Sequence, residues 1–228
     1  MKIVNNLVLI PSRIGSKRVK NKNFIILKKK KLYEHSLQHA YLIKKKFKST
    51  IIALSTDYVG KLKKKNYFDI IKRPKDISGD KSKSKEYILH TLSFYKKKKI
   101  IFKNVVILQP TCPIRSKKDL IECIKIFTKK KVNSLISVYK ETYVNDSVKY
   151  LSKNKLGLPV RKDHNHGTDG KKNKDYFVRN GSIYITSINY FLKTKNVISD
   201  RPYLYQMNKI NSINIDTIED LNLIKKFI

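Results

Sequence analysis

The chain has 228 residues, of which 40% are hydrophobic, and it carries a formal net charge of +35. That length suits one sizeable domain or two small ones with a proper core. No apolar run approaches the ~20 residues that a membrane-spanning helix needs, which excludes a transmembrane protein. The two cysteines are too few for a disulfide framework or a structural zinc site. Because the first residues also lack a secretory signal pattern, we expect a cytoplasmic protein.

The positive charge comes almost entirely from lysine. Of 52 basic residues, set against 17 acidic ones, only seven are arginine. A lysine-dense surface can bind phosphate backbones, which leaves open a basic, non-catalytic nucleic-acid-binding protein. However, the chain is rich in isoleucine and asparagine, as A/T-rich codons would make it, and its lysine runs are scattered (28–31, 44–46, 63–65, 96–99 and 129–131). We therefore interpret most of the charge as solvated surface and expect no specific nucleic-acid partner.

Short apolar runs alternate with helical patterns along the first half of the chain. Apolar runs of this length, ended by proline or polar residues, predict buried strands (Ile3–Ile10, Ile51–Ser55 and Phe68–Ile71). Apolar residues at helical spacing predict helices between and after them (Leu32–Lys46, Tyr58–Lys65 and Glu86–Tyr95).

The alternation continues in the second half, with one interruption. A strand at Val105–Leu108 precedes a capping-box pattern at Ser116 that opens a helix through Phe127. The stretch 141–177 is polar and weakly periodic, and we interpret it as an excursion from the sheet. Two more strands and a helix opened by Thr217 are predicted after it (Ser182–Thr186, Ser212–Ile215 and 217–228). The pattern indicates an α/β fold with a mostly parallel central sheet flanked by helices, in a single domain over 1–228.

In such a sheet, ligands bind at the carboxyl ends of the strands, so the loops there are the first places to look for chemistry. The loop 11–23 holds one glycine, two serines and five basic side chains. Its backbone N–H groups and Ser16 could bind a polyphosphate that Arg13, Lys17 and Lys22 neutralise. It is neither a Walker A loop nor a GxGxxG turn, and a solvated basic loop remains the alternative.

The last predicted strand carries Asn214 and Asp216, which point to one face if the segment is extended. Their oxygens could hold a divalent cation, most simply Mg²⁺ together with substrate phosphates. Alternatively, Asp216 favours the start of the helix that follows.

Three further features are less specific. The clusters 109–115 and 179–182 place amide and hydroxyl donors at strand edges. Cys112 lies in the first cluster, but no histidine or aspartate at a supporting spacing accompanies it, so a small buried thiol is the favoured interpretation. His164 and His166 lie in a polar loop and are interpreted as uncommitted.

Taken in chain order, these loops resemble those of the acylneuraminate cytidylyltransferases, the bacterial CMP-sugar synthetases that activate nine-carbon acidic sugars. Six segments spread over essentially the whole chain carry the resemblance (Ile10–Arg18 with Lys22 and Asn23; Ser55–Asp57; Arg73 and Pro74 with Asp80, Ser82 and Ser84; Leu108–Arg115; Asn180–Ile185; and Ile215–Thr217 with Glu219 and Asp220). Each segment alone is weak evidence, whereas six in the right order are strong evidence.

The resemblance implies a Rossmann-like nucleotidyltransferase fold and a Mg²⁺-dependent reaction in which a nonulosonic acid attacks CTP and releases pyrophosphate. It implies catalytic roles for Arg13, Lys22 and Asp216, with Asp216 and Asn214 at the metal. The residues implied to bind CTP are Arg13, Ser16, Lys17, Lys22, Asn23, Arg73 and Ser84, and those implied to face the sugar are Gln109, Asn180 and Tyr184. Relatives are typically homodimers in which the mid-chain excursion reaches the neighbour, so we expect a homodimer.

The chain departs from the family pattern at several positions. Asn214 stands where many members have aspartate, Cys112 replaces a serine, and Val178 stands where members often have arginine, with Arg179 next to it. The excursion matches poorly, so neuraminic, legionaminic and pseudaminic acids all remain open as the activated sugar. A CMP-Kdo synthetase and an inactive synthetase that still folds are further alternatives.

Overall fold

The fold is described from a computed structural model, which covers residues 1–16, 18–58, 60, 62, 65–141, 150–153, 156–159 and 176–227. Its strands are β1 (Lys2–Ser12), β2 (Ile26–Leu27), β3 (Lys30–Lys31), β4 (Thr50–Thr56), β5 (Asp69–Lys72), β6 (Ile100–Leu108), β7 (Ser134–Glu141), β8 (Tyr150–Lys153), β9 (Leu156–Pro159), β10 (Tyr176–Ser187) and β11 (Tyr203–Gln206). Its helices are α1 (Leu32–Lys46), α2 (Ser84–Lys97), α3 (Lys117–Lys130), α4 (Ile188–Thr194) and α5 (Ile218–Lys225).

Within the described residues, the central sheet has seven strands in the order β11-β7-β10-β6-β1-β4-β5. The pairs β1–β4, β1–β6, β4–β5 and β7–β11 are parallel, whereas β10 runs antiparallel to both β6 and β7. β2 pairs with β3, and β8 with β9, as two separate antiparallel hairpins. The predicted α/β fold with a mostly parallel sheet is confirmed.

Both faces of the sheet are covered, which explains why β1 contains an uninterrupted apolar run at Leu7–Ile10. Val8 and Ile10 pack in a cluster with residues of α1 and α3, whereas Leu7 and Leu9 pack on the other face with residues of α2 and α4. All four side chains are fully buried. This rigid central strand ends at Ser12, where the loop with the predicted phosphate-binding residues begins.

Capping side chains set the helix starts. Ser116 accepts a hydrogen bond from the backbone N–H of Asp119, as predicted for α3, and Thr217 does the same for Asp220 at the start of α5. α1 covers the same residues as predicted from its periodicity, and its Glu34 side chain accepts from the backbone N–H of Lys31 at 2.7 Å.

Two predicted elements are wrong among the residues described. Ser212–Ile215 is not a strand, because a 3₁₀ turn occupies Ile210–Ser212. After this turn, the backbone N–H of Ile215 donates a hydrogen bond to the Thr111 carbonyl, in the loop after β6, at 2.8 Å. No described residue of 58–65 is helical. The structure adds β7 and β11, which the sequence did not predict, while most of the excursion 141–177 lies outside the described residues. No described helix is long and apolar enough to cross a bilayer.

Candidate functional site

A cavity of about 590 Å³ lies at the carboxyl ends of the sheet strands. The loop after β1 forms one side, and the segments after β5, β6 and Ile215 form the others. The cavity gathers most of the predicted phosphate-, nucleotide- and metal-binding side chains. Its lining residues are Pro11, Arg13, Ser16, Arg18, Lys22, Asn23, Arg73, Asp80, Ser82, Tyr87, Gln109, Thr111 and Asp216. Lys17, also predicted to bind CTP, lies outside the described residues.

Two hydrogen bonds hold the loop after β1 in place. The backbone N–H of Ile14 donates to Asp57 Oδ1 at 2.8 Å, and Asn23 Nδ2 donates to the Arg13 carbonyl at 2.9 Å. Asp57 follows β4, the neighbour of β1 in the sheet, so the sheet itself positions the loop. In this structure the Asn23 amide therefore supports the loop backbone that carries Arg13.

Three cationic side chains of the cavity lie close to carboxylates. Lys22 is 8% exposed, and its Nζ donates to the Ile215 carbonyl at 2.7 Å and to Asp216 Oδ1 at 2.8 Å. Arg13 Nη1 lies 2.7 Å from Asp80 Oδ1, and Arg18 Nη2 lies 3.6 Å from Asp216 Oδ1. A bound polyanion could exchange with these carboxylates for the same cations.

The Asp216 carboxylate does not cap α5, because that task falls to its neighbours. Asp220 Oδ2 accepts from the backbone N–H groups of both Asp216 and Thr217 at 2.9 Å. Burial alone would raise the pKa of Asp220. The hydrogen bonds from Asp216 and Thr217, together with the charge of Lys22, outweigh burial, so the pKa of Asp220 lies below its ordinary value. The Asp216 carboxylate is left to line the cavity.

The metal-ligating groups here are few. Asn214 Nδ2 donates to Asp216 Oδ2 at 3.3 Å, and the Asn214 oxygen is 3.7 Å from Cys112 Sγ. No group of three or more histidine, cysteine, aspartate or glutamate side chains able to hold a metal occurs in the described part of the chain. One carboxylate on the wall of this cation-lined cavity nevertheless fits Mg²⁺, which is commonly held by one or two carboxylates plus substrate phosphates.

Arg73 is a buried cation on the wall of the cavity. Its Nε donates to Ser55 Oγ at 3.2 Å and its Nη2 to the Ser55 carbonyl at 3.1 Å, while its guanidinium lies 4.8 Å from the centre of the Tyr87 ring. Burial lowers the pKa of Arg73. The side chain is thus fixed by β4 and by α2, and it is available at the cavity without rearrangement.

A second, smaller cavity of about 170 Å³ shares Tyr87 and Gln109 with the first. It contains two residues predicted to face the sugar, Gln109 and Tyr184, together with Ser84, which the resemblance implied at the nucleotide. Arg179 also lines this smaller cavity, although no role was predicted for it.

Asn180 is in a different position from the other predicted sugar-binding residues. It is 4% exposed, and its amide donates to Ser212 Oγ at 2.8 Å while its oxygen accepts from Ser137 Oγ at 2.6 Å. It lines neither cavity and ties β10 to β7 and to the turn before Asn214.

Cys112 is fully buried, and burial raises the pKa of its thiol, in agreement with its interpretation as a packed thiol. His164 and His166 lie outside the described residues.

Arg115 is a supporting residue that sequence reasoning did not single out. It is 5% exposed, it donates to the carbonyls of Gln109 and Ser182, and burial lowers its pKa to about 10. Its Nη1 also lies 3.5 Å from His39 Nδ1. Arg115 thereby joins the loop after β6 to β10, the two segments that carry Gln109 and Tyr184. The only sequence signal was its place at the end of the 108–115 segment.

The fold and this strand-end cavity are those of a nucleotidyltransferase. Residues 7–227 match the family model described as cytidylyltransferase, and the chain belongs to that family.

The chain is 28% identical over 221 residues to an N-acylneuraminate cytidylyltransferase from Escherichia coli, covering 95% of this chain and 50% of that protein. It is 27% identical over 238 residues to a CMP-N,N'-diacetyllegionaminic acid synthase from Legionella pneumophila, and the match covers 96% of this chain and 94% of that protein. It is 22% identical over 229 residues to a pseudaminic acid cytidylyltransferase from Campylobacter jejuni, and the match covers 97% of this chain and 95% of that protein. The chain thus spans about half the length of some of its curated relatives and nearly all of others.

Two solved structures share the fold. One is a CMP-2-keto-3-deoxy-manno-octonic acid synthetase complexed with CTP, with a TM-score of 0.65, 11% identity and 98% coverage of both chains. The other is the 2-C-methyl-D-erythritol 4-phosphate cytidylyltransferase of Francisella tularensis, with a TM-score of 0.65, 11% identity and coverage of 98% of this chain and 100% of that one. At this identity the likeness is one of fold alone, so it does not favour the Kdo alternative.

Proposed function

We propose that this chain transfers CMP from CTP to a nonulosonic acid, releasing pyrophosphate. The observation that carries the proposal is the larger cavity, where residues from three distant segments surround one space: Arg13 and Lys22 from the loop after β1, Arg73 after β5, and Asp216 before α5. Relatives named for N-acylneuraminate, legionaminic acid and pseudaminic acid support this acceptor class without choosing among the three sugars.

In the proposed reaction, Arg13, Ser16 and Lys22 bind the triphosphate, and Arg73 borders the nucleoside. A hydroxyl of the sugar attacks the α-phosphorus, the bond to the bridging oxygen of the β-phosphate breaks, and pyrophosphate and a proton are released. Lys22 stabilises the negative charge that develops, because it is buried and already aimed at the cavity by the Ile215 carbonyl. Asp216 would hold Mg²⁺, which supplies further charge neutralisation when bound. Asn214 donates to Asp216 through Nδ2 and turns its oxygen toward Cys112, so it would offer that oxygen to the cation only after its amide turns over.

We also propose a cytoplasmic homodimer in which the 141–177 segment contacts the partner. Phe177, at the end of that segment, is 40% exposed, so this apolar side chain is accessible to a second copy. The described cysteines are both free and buried, which suits a reducing compartment. Light scattering on the purified protein tests the dimer, and a monomeric mass at micromolar concentration would refute it.

Pyrophosphate release from CTP and Mg²⁺ tests the function, with the three nonulosonic acids and Kdo supplied one at a time. We expect release with at least one nonulosonic acid, and a loss of about 100-fold or more in Lys22→Ala and in Asp216→Ala. Lys193→Ala and Asp200→Ala, which remove exposed charges outside both cavities, are the matched controls. Turnover of Kdo alone, or no turnover from folded protein, would contradict the proposal.

A further inference from the structure

The two cavities differ in charge, and the smaller one is suited to a single negative group. Its described lining combines Arg179, the polar side chains of Gln109, Tyr184 and Ser84, and an apolar wall (Tyr87, Ile107, Val197 and Ile198). Among these residues Arg179 is the one charged side chain, and none is acidic. We propose that this cavity binds the carboxylate of the acceptor sugar acid through Arg179, and that this contact selects an acidic acceptor. The inference rests on the proposed function.

An irregularity in β10 brings Arg179 into this cavity. Residues five apart on a regular strand face opposite sides of the sheet, so Arg179 and Tyr184 would not meet. Here the pairing with β7 shifts from Arg179 opposite Val138 to Tyr184 opposite Ile136. Gly181 lies within the shift with a φ of 74°, a left-handed conformation that suits glycine. The shift places both side chains on the same cavity.

The smaller cavity also lies next to the proposed triphosphate site. A Cβ placed on Gly181 would lie 3.6 Å from Asn214 Nδ2 and 3.9 Å from the Tyr184 hydroxyl, so these two groups flank the same glycine. Asn214 in turn donates to Asp216 on the wall of the larger cavity. An acceptor held by its carboxylate near Arg179 therefore has its reacting hydroxyl close to the nucleotide. Burial raises the pKa of Tyr184 and Arg179 opposes this shift, which agrees with their proximity.

The size of the cavity indicates which part of the acceptor enters. Its volume of about 170 Å³ is below the roughly 300–1,000 Å³ of pockets that enclose a whole small molecule. It can take the ring end of a sugar acid with its carboxylate, while the remainder extends beyond it. Arg179 is exposed in the open cavity, so it is free to form a charge-assisted hydrogen bond with an entering carboxylate. A sugar ring packed on the apolar wall would then exclude water from that pair and strengthen it.

The test compares Arg179→Gln and Arg179→Lys with the wild type, using an acceptor with a free carboxylate and its methyl ester. Arg201→Gln is the matched control, because Arg201 is exposed and lines neither cavity. We expect Arg179→Gln to raise KM for the acid about 10- to 100-fold, the scale of one lost charge-assisted hydrogen bond, with KM for CTP unchanged. Arg179→Lys should restore part of the loss. The preference of the wild type for acid over ester should disappear in Arg179→Gln.

The outcomes separate the inference from the proposed function. If the wild type turns over no sugar acid, the proposed function fails and the inference fails with it. If the wild type is active but Arg179→Gln matches Arg201→Gln, the inference alone is refuted. An equal loss with acid and ester would also refute it, because the carboxylate would then not be the group that Arg179 contacts. Calorimetric binding of CTP to Arg179→Gln, expected to equal the wild type, shows that the variant is folded.

Discussion

His39 makes the stability of this protein sensitive to mild acid. Burial lowers its pKa from 6.5 to about 3, and the charges of Arg115 and then His35 add to the effect. In the unfolded chain His39 takes up a proton near pH 6.5, whereas in the native protein it stays neutral. Between these values the unfolded state binds more protons, so the free energy of unfolding falls as the pH drops. The loss reaches about 2 kcal/mol at pH 5, a large part of the ~5–15 kcal/mol of an ordinary domain.

The measurement is urea unfolding followed by tyrosine fluorescence, at pH values between about 7.5 and 5, for the wild type and His39→Asn. Asparagine retains an acceptor for Arg115 Nη1 but has no proton to gain. We expect the wild type to lose about 2 kcal/mol more than His39→Asn over this range. Parallel pH dependences of the two proteins would refute the reasoning, because they would show that His39 titrates alike in both states.

Two other variants test how the larger cavity is built. Asp57→Ala removes the acceptor of the Ile14 N–H, so we expect CTP to bind about tenfold more weakly by calorimetry, while the exposed-site control Asp200→Ala binds as the wild type does. Equal affinities would show that Asp57 does not hold the loop. Asn214→Asp sets a second carboxylate beside Asp216, so Mn²⁺ followed by electron paramagnetic resonance should bind the CTP-free protein about tenfold more tightly than it binds the wild type. Unchanged Mn²⁺ affinity would mean that this position does not face the cation.

Elements with a strong periodic signal could be predicted from the sequence. β1 is buried on both faces and α1 has one apolar side, so each pattern leaves little choice of structure. β11 has only four residues of alternating exposure, and it exists as a strand because it pairs with β7, a contact that no local pattern predicts. The 212–215 segment shows the reverse case. Its alternation is typical of a strand, but no strand among the described residues pairs with it.

The sequence could predict which side chains meet at the site, because the loops at the carboxyl ends of parallel strands converge. The side chains of the loop after β1 and Asp216 meet at one cavity, as the parallel sheet implies. What each polar group bonds to could not be predicted. Lys22 and the Ile215 carbonyl, which form a hydrogen bond, are 193 residues apart in sequence. Both polar groups of the Asn180 side chain form hydrogen bonds within the fold, to Ser137 and Ser212. A sequence pattern names the residue types at a site, whereas burial and pairing decide which of them remain available to a ligand.

The ion pairs in the larger cavity indicate that its electrostatics depend on a few local side chains and not on the net charge of +35. Lys22 and Arg13 act on their carboxylate partners at 2.8 and 2.7 Å, at a partly buried surface where charges are weakly screened. Exposed lysines farther away than the Debye length of about 8 Å at physiological salt contribute little there. The paired carboxylates reduce the repulsion between the clustered cations. In the proposed function a triphosphate takes the place of these carboxylates at the cations, so its affinity should depend on these few side chains rather than on the lysine content of the surface.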